Sequence, residues 1–128
     1  MIKISEKRLL QLKKNFKGKR IAVIGDMMLD IYFWGDVKRI SPEAPVPVLE
    51  VENEFYRFGG AANVALNISK LSGVAEPIGI IGYDNYGTVF NSLLTEQKIS
   101  HHGIIEDDTR PTTAKTRVIA DSQHIVRI

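Results

Sequence analysis

The chain has 128 residues, of which 44% are apolar and 25% charged, a globular composition that excludes intrinsic disorder. It contains no cysteine, which excludes disulfides and thiolate metal sites. A net charge of +2 gives no support for a nucleic-acid partner. The longest stretch without Asp, Glu, Lys or Arg, residues 58–69, is too short to cross a membrane. Because no secretory signal is visible either, we expect a cytoplasmic protein with no membrane partner.

The first twenty residues are strongly basic, with eight Lys or Arg and a single Glu. Ser5 is a suitable N-cap and Gly18 a suitable stop, and apolar side chains recur between them at helical spacing: Leu9, Leu12 and Phe16. The pattern predicts an amphipathic helix with a solvated basic face. Contact with phosphates or membrane headgroups is the alternative that the charge leaves open.

The middle of the chain alternates apolar runs with amphipathic segments. The apolar runs predict strands over residues 20–25, 77–82 and 102–105. A 3.6-residue period predicts helices over residues 61–72 and 86–97. Strands that alternate with helices in this way predict an α/β fold with a parallel sheet and right-handed crossovers.

Two segments depart from this alternation and predict a small separate sheet. Residues 31–57 contain aromatic side chains and three prolines, which favour edge strands or extended chain. Residues 112–128 alternate with period two, and Asp121 and Ser122 are placed to turn the chain into a partner strand. A parallel sheet of only three strands leaves an edge that needs covering. We therefore expect the chain to be part of a longer protein.

The glycine-led motif Gly59-Gly60-Ala61-Ala62-Asn63 opens the second predicted helix. Small residues at a helix start let a ligand approach unpaired N–H groups, and Asn63 offers both donors and an acceptor to a hydroxyl-bearing ligand. A tight turn that packs helix against strand would need the same glycines.

Two carboxylates, Asp26 and Asp30, follow the first strand, where ligands bind in open α/β sheets. They could accept hydrogen bonds from sugar hydroxyls, hold a divalent cation, or be solvated. After the second strand, Asp84 or Asn85 is expected to cap the next helix.

The glycine-led motif is part of a longer pattern that resembles the first signature of the ribokinase-like (PfkB) carbohydrate kinases. Its constrained positions here are Gly59, Gly60, Ala61, Asn63, Ala65, Ser72 and Gly82. The resemblance implies a doubly wound parallel sheet with a small β-sheet lid, formed by segments 31–57 and 112–128. Residues 1–128 would be the N-terminal part of one such kinase domain, with the C-terminal half absent.

Within that family, three segments look like the kinase domain of bacterial ADP-heptose synthases: residues 25–30, 41–48 and 110–117. This narrower resemblance implies transfer of a phosphoryl group to the anomeric oxygen of heptose 7-phosphate, a step of lipopolysaccharide synthesis. A kinase for another sugar is the alternative within the family.

The resemblance also implies roles for individual residues. Asp30 and Asn63 would hold sugar hydroxyls, Gly59 and Gly60 would give the backbone room, and Asp26 is a weaker candidate. For the phosphate of the sugar, the candidates are Lys115, Arg117 and Arg110, of which Lys115 and Arg117 share one face of a predicted strand. These cations could equally be solvated on an exposed face. The three histidines show no metal-ligand spacing, and no metal site is expected.

Such kinases carry a second motif, Gly-Ala-Gly-Asp, whose aspartate is the catalytic base, and it does not occur in this sequence. We therefore expect no catalytic residue in the chain and no kinase activity from it alone. The intact kinase would use ATP and Mg²⁺, with the nucleotide site mostly outside these residues.

Two readings from other functional classes stay open. The chain could be a non-catalytic module that binds a sugar phosphate, or an interaction protein whose segment 42–47 is bound by a partner in extended form. The aromatic residues Tyr32, Phe33 and Trp34 exceed what a thin lid could bury, so we also expect a homodimer through the lid.

Overall fold

The computed structural model describes residues 4–121 and 123–128. In chain order the elements are α1 (Glu6–Phe16), β1 (Arg20–Ile24), β2 (Met27–Ile40), β3 (Pro47–Gly59), α2 (Gly60–Lys70), β4 (Val74–Gly82), α3 (Asn85–Glu96), β5 (Gly103–Asp107), β6 (Thr113–Ala120) and β7 (Gln123–Arg127). The predicted α/β class with a second, separate sheet is confirmed. No helix among these elements is long and apolar enough to cross a membrane.

The first sheet has three parallel strands in the order β1-β4-β5. Helix α2 packs on it through Ala65, which is buried against Val23 and Ala75. Helix α3 lies on the same side, because its Phe90 is buried in one cluster with Ile81 of β4. Both helices share a face because successive right-handed crossovers add strands in one direction.

The second sheet has four strands in the order β3-β2-β6-β7 and is mixed. Strand β2 pairs antiparallel with β3 and parallel with β6, and β6 pairs antiparallel with β7. Pro42 and Pro45 lie in the connection between β2 and β3, and Pro47 begins β3, so none of these three prolines interrupts a ladder of this sheet.

The two sheets share the main hydrophobic core. Leu29, Ile31 and Phe58 of the second sheet are buried with Ile81 and Phe90 from the first sheet and its helix. The rings of Phe58 and Phe90 meet edge to face, with centroids 5.1 Å apart. The second sheet is therefore anchored at one end by core packing rather than attached through loops alone.

A polar contact between Asp84 and Thr112 also joins the sheets. Asp84 caps α3, as predicted, and its Oδ1 accepts a hydrogen bond from Gly87 N at 2.7 Å. Its Oδ2 accepts from Thr112 N at 2.8 Å, and Oδ1 also accepts from Thr112 Oγ1 at 2.7 Å. Burial acts to raise the pKa of Asp84, but these hydrogen bonds outweigh it and lower the pKa below its ordinary value. The carboxylate therefore fixes the start of β6 beside the end of β4.

Several element boundaries differ from the sequence prediction. Helix α2 ends at Lys70, and Ser72 rather than Gly73 takes the left-handed conformation, with φ 67°. Gly73 is instead required by close packing, because a Cβ there would lie 2.8 Å from Ile68 Cγ2. Helix α1 begins at the predicted Ser5 cap and stops before Gly18, but none of its residues is buried.

Candidate functional site

The glycine pair lies where the start of β2 meets the start of α2. Gly60 has φ 52°, and a Cβ there would come within 2.5 Å of the Asp26 carbonyl oxygen. That carbonyl accepts a hydrogen bond from Ala61 N at 3.0 Å, so one N–H at the helix start is satisfied by the chain itself. At Gly59 a Cβ would lie 3.1 Å from Asp30 Oδ1. The glycines thus give room to Asp26 and Asp30 as well as to any ligand.

Asp30 comes after β1, and it lies inside the next strand, β2. Strand β1 ends at Ile24, and Gly25 and Asp26 connect it to the start of β2. The backbone bends at Gly25, whose φ is 157°, and the chain continues into a different sheet. Asp30 is therefore held by two ladders, opposite Arg57 of β3 and Lys115 of β6.

A cavity of about 510 Å³ brings Asp30 and Asn63 together. Its lining comes from β2, β3, α2 and α3: Asp30, Tyr32, Tyr56, Arg57, Phe58, Asn63, Leu66, Leu93 and Gln97. A polar wall faces an apolar one, which is the usual composition of a pocket for a small polar ligand. The two residues predicted to hold sugar hydroxyls thus line one space, and their role stays a prediction.

Asp30 and Arg117 form an ion pair beside this cavity. Asp30 Oδ1 and Arg117 Nη1 lie 2.8 Å apart, with only 17% and 20% of their side chains exposed. Interaction with the Asp30 carboxylate raises the pKa of Arg117. Asp30 Oδ1 is buried against the guanidinium, so this oxygen is occupied by the ion pair and not by a ligand. The ion pair therefore fixes the orientation of the Asp30 carboxylate at the edge of the cavity.

Aromatic rings hold the guanidinium groups on this face of the second sheet. The rings of Tyr32 and Phe55 stack with centroids 4.8 Å apart. Arg117 lies 5.1 Å from the Tyr32 centroid, and Arg57 lies 5.2 Å from that of Phe55. Such cation–π contacts orient a guanidinium without neutralising it.

Arg57 is a residue that the sequence analysis missed. It lies two positions before Gly59 on β3 and lines the same cavity as Asp30 and Asn63. The sequence offered one indication: Arg57 lies two residues before Gly59, and residues two apart on a strand point to the same face. Without knowledge that β3 pairs with β2 opposite Asp30, this spacing carried no information about a site.

Asp26 and Arg110 are not brought to the cavity of Asp30 and Asn63. They line a separate cavity of about 280 Å³ over the uncovered face of the parallel sheet. Arg110 donates from Nη2 to Thr113 Oγ1 at 3.1 Å. Because Asp26 and Asp30 line different cavities, their separation argues against a cation shared by the two carboxylates. Within the described ranges, no three His, Asp or Glu side chains cluster as metal ligands.

Comparison with known proteins gives a family match over most of the chain. The profile of the pfkB family carbohydrate kinases matches residues 18–128. The chain belongs to the pfkB carbohydrate kinase family. The predicted resemblance to this family is confirmed.

Curated pfkB relatives share about half of their residues with this chain. The Bifunctional protein HldE of Helicobacter pylori is 51% identical over 110 residues, which are 86% of this chain and 24% of that protein. Its namesake from Magnetococcus marinus is 50% identical over 113 residues, or 88% and 23%. This chain therefore spans about a quarter of the length of these relatives.

Solved structures of lower identity confirm the ribokinase fold. Arabidopsis thaliana ribokinase, solved with ribose and ATP, superposes with a TM-score of 0.67 at 19% identity, covering 88% of this chain and 35% of that one. A carbohydrate kinase from Agrobacterium tumefaciens gives 0.68 at 19% identity, covering 86% and 34%.

Proposed function

We propose that this chain is the sugar-binding part of a kinase that transfers the γ-phosphoryl group of ATP to the anomeric O1 of heptose 7-phosphate, in ADP-heptose synthesis for lipopolysaccharide. The observation that carries the proposal is the cavity that both Asp30 and Asn63 line. It lies beside the face of the second sheet that carries Arg57, Lys115 and Arg117, which we call the cationic face. Identity of about 50% to proteins named HldE supports the choice of heptose over another sugar.

The sugar ring would bind at the end of the cavity that Asp30 and Asn63 line. Asp30 would accept a hydrogen bond from one hydroxyl through its carboxylate, and Asn63 could both donate and accept. Gly59 and Gly60 allow this approach, because a side chain at either position would meet Asp30 or Asp26.

The phosphate of the sugar would bind on the cationic face of the second sheet. Lys115 is the cross-strand neighbour of Asp30, and Arg117 is held beside it by the ion pair. Arg110, the third cation named from the sequence, lines the other cavity, so no contact in the structure supports it. A dianion beside these cations would gain charge-assisted hydrogen bonds, which are stronger than those to a neutral hydroxyl.

The catalytic base and most of the nucleotide site would come from outside this chain, since it carries no Gly-Ala-Gly-Asp motif and no phosphate-binding glycine loop. The intact kinase would use Mg²⁺ with ATP, and the 128 residues alone would show no turnover. Phosphoryl transfer depends on positioning, and this chain positions only the sugar.

The deciding experiment is a kinase assay of the full-length protein with ATP, Mg²⁺ and heptose 7-phosphate, beside unphosphorylated heptose and ribose. We expect turnover on heptose 7-phosphate to dominate. Preference for another sugar would overturn the substrate assignment. Tight sugar-phosphate binding without turnover would favour the non-catalytic module.

A homodimer through the second sheet and a cytoplasmic location also belong to this proposal. Trp34 and Ile40 of β2 expose 39% and 69% of their surfaces. Apolar surface of this kind marks interfaces. Sedimentation of the full-length protein at micromolar concentration tests it, and a monomer would contradict it.

A further inference from the structure

Arg57 is an exposed cation with no anionic partner among the residues that the structure describes. No carboxylate oxygen of the described residues lies within 4 Å of its guanidinium, whereas Arg117 is paired with Asp30. Its guanidinium lies 5.2 and 5.6 Å from the ring centroids of Phe55 and Tyr32. The two rings therefore limit its motion while its N–H donors stay unused by a carboxylate.

The face on which Arg57 lies has a large excess of positive charge. Cross-strand partners in a sheet point to the same side, so this face carries Arg57 of β3, Lys115 and Arg117 of β6, and Arg127 of β7 around Asp30. Asp30 is the one carboxylate at these paired positions, and it is already engaged with Arg117. Arg57 and Lys115 flank it from either side without an ion-pair partner among the described residues. An anion beside Asp30 would balance this charge.

We propose that Arg57 is a specificity-determining residue that binds, together with Lys115, the phosphate-bearing end of the sugar, while Arg117 stays on Asp30 as a positioning residue. This proposal rests on the proposed function, because it assigns the phosphate end of that same substrate. Arg57 lines the cavity that Asp30 and Asn63 line, so one small ligand can reach all three residues.

Geometry favours Arg57 over Arg117 as the phosphate contact. The Arg117 guanidinium is held by Asp30 and is mostly buried, so a phosphate would compete with an existing ion pair. Arg57 is exposed, and its planar fork can meet two phosphate oxygens at once. A lysine at this position would keep the charge but lose both the fork and the ring stacking.

The test compares Arg57→Gln, Arg57→Lys and the control Arg39→Gln in the full-length protein, with KM and kcat measured for heptose 7-phosphate and for heptose. Arg39 is an exposed arginine on β2 that lines neither cavity, so its change removes the same charge from the same sheet. For Arg57→Gln we expect KM for heptose 7-phosphate to rise about tenfold or more, as the loss of a charge-assisted contact predicts. Its kcat, and both constants for heptose, should stay near those of the control. For Arg57→Lys, the KM for heptose 7-phosphate should lie between those of the wild type and Arg57→Gln.

Other outcomes overturn the proposal in recognisable ways. An equal loss on both sugars would show that Arg57 acts through the fold, and unchanged constants would show that the phosphate is held elsewhere. If the wild-type protein does not prefer heptose 7-phosphate, the proposed function itself fails. That result is read from the wild-type assay alone and is therefore separate from failure of the Arg57 assignment.

Discussion

The strands of the two sheets differ in how apolar and polar side chains are distributed over their two faces. In β4 of the parallel sheet both faces carry apolar side chains: Ala75 and Ile81 face the helices, and Ile78 and Ile80 are on the other side, after Glu76 near the start of the strand. In β2 of the second sheet the faces differ, because Leu29 and Ile31 enter the core while Asp30 and Tyr32 lie on the cationic face. Continuous apolar runs are typical of parallel strands that are covered on both sides, and alternation is typical of a sheet with one polar face.

Because of this contrast, we expect different residues of the second sheet to determine stability and ligand recognition. The second sheet contributes to the core through one face and offers charged and aromatic side chains on the other, so substitutions on that polar face should change binding more than folding. Contacts that join the two sheets should have the reverse effect. The predictions below test this separation.

The largest expected effect is on activity, from Asp30→Ala in the full-length protein. The change removes a proposed acceptor for a sugar hydroxyl and leaves Arg117 without its partner. We expect kcat/KM to fall by about 10- to 100-fold, the equivalent of one charge-assisted hydrogen bond. Asp36→Ala, on the same strand beyond the irregularity at Gly35, is the matched control. Equal losses in the two variants would mean that the polar face does not separate recognition from folding.

The next effect is on stability, from Asp84→Ala at the junction of the sheets. Loss of its hydrogen bonds to Gly87 and Thr112 should lower the free energy of unfolding by about 2 kcal/mol at pH 7. Because the pKa of Asp84 is lowered in the folded protein, its contribution is complete above the unfolded pKa, about 4, and is lost as the pH falls through the folded value. Urea unfolding at pH 7 and at pH 3 measures this, and the difference from wild type should shrink at pH 3.

Asp107→Ala is the control for that experiment. Asp107 ends β5, but among the described residues its carboxylate accepts hydrogen bonds only from Thr109, two residues away, and joins no two elements. A destabilisation as large as that of Asp84→Ala would show that the cross-sheet contact adds nothing beyond a local turn.

The smallest expected effect is on stability. Comparing Gly18 with Gly60 distinguishes the cost of a positive φ from the cost of steric crowding. Gly18 and Gly60 both have positive φ, at 70° and 52°, but a Cβ on Gly18 meets nothing within 4 Å. Gly18→Ala should lower the free energy of unfolding by about 1 kcal/mol. Gly60→Ala should lower it further, because its Cβ would lie 2.5 Å from the Asp26 carbonyl oxygen. Equal values from urea unfolding would rule out a tight junction between β2 and α2.

Local patterns in the sequence determined the elements and the family. The apolar runs, the Ser5 and Asp84 caps and the glycine-led motif each act over a few residues, so α1, β1, α2, β4 and α3 could be predicted within a few positions. The same is true of the second sheet as a separate unit, because prolines and period-two alternation are local signals. Asn63 was found through the glycine-led motif, and Asp30 through its place after the first strand and the family resemblance, rather than through any knowledge of the cavity.

Only the tertiary structure decided which residues meet. Pairing of β2 with β3 and β6 places Arg57, Lys115 and Arg117 around Asp30, although these residues lie up to 87 positions apart along the chain. The same pairing leaves Asp26 and Arg110 at another cavity, although the family resemblance had grouped them with the sugar site. Strand register is fixed by burial of Leu29, Ile31 and Phe58 in a core shared with distant helices. No local window of sequence contains that information, and Arg57 therefore could not be identified from the sequence.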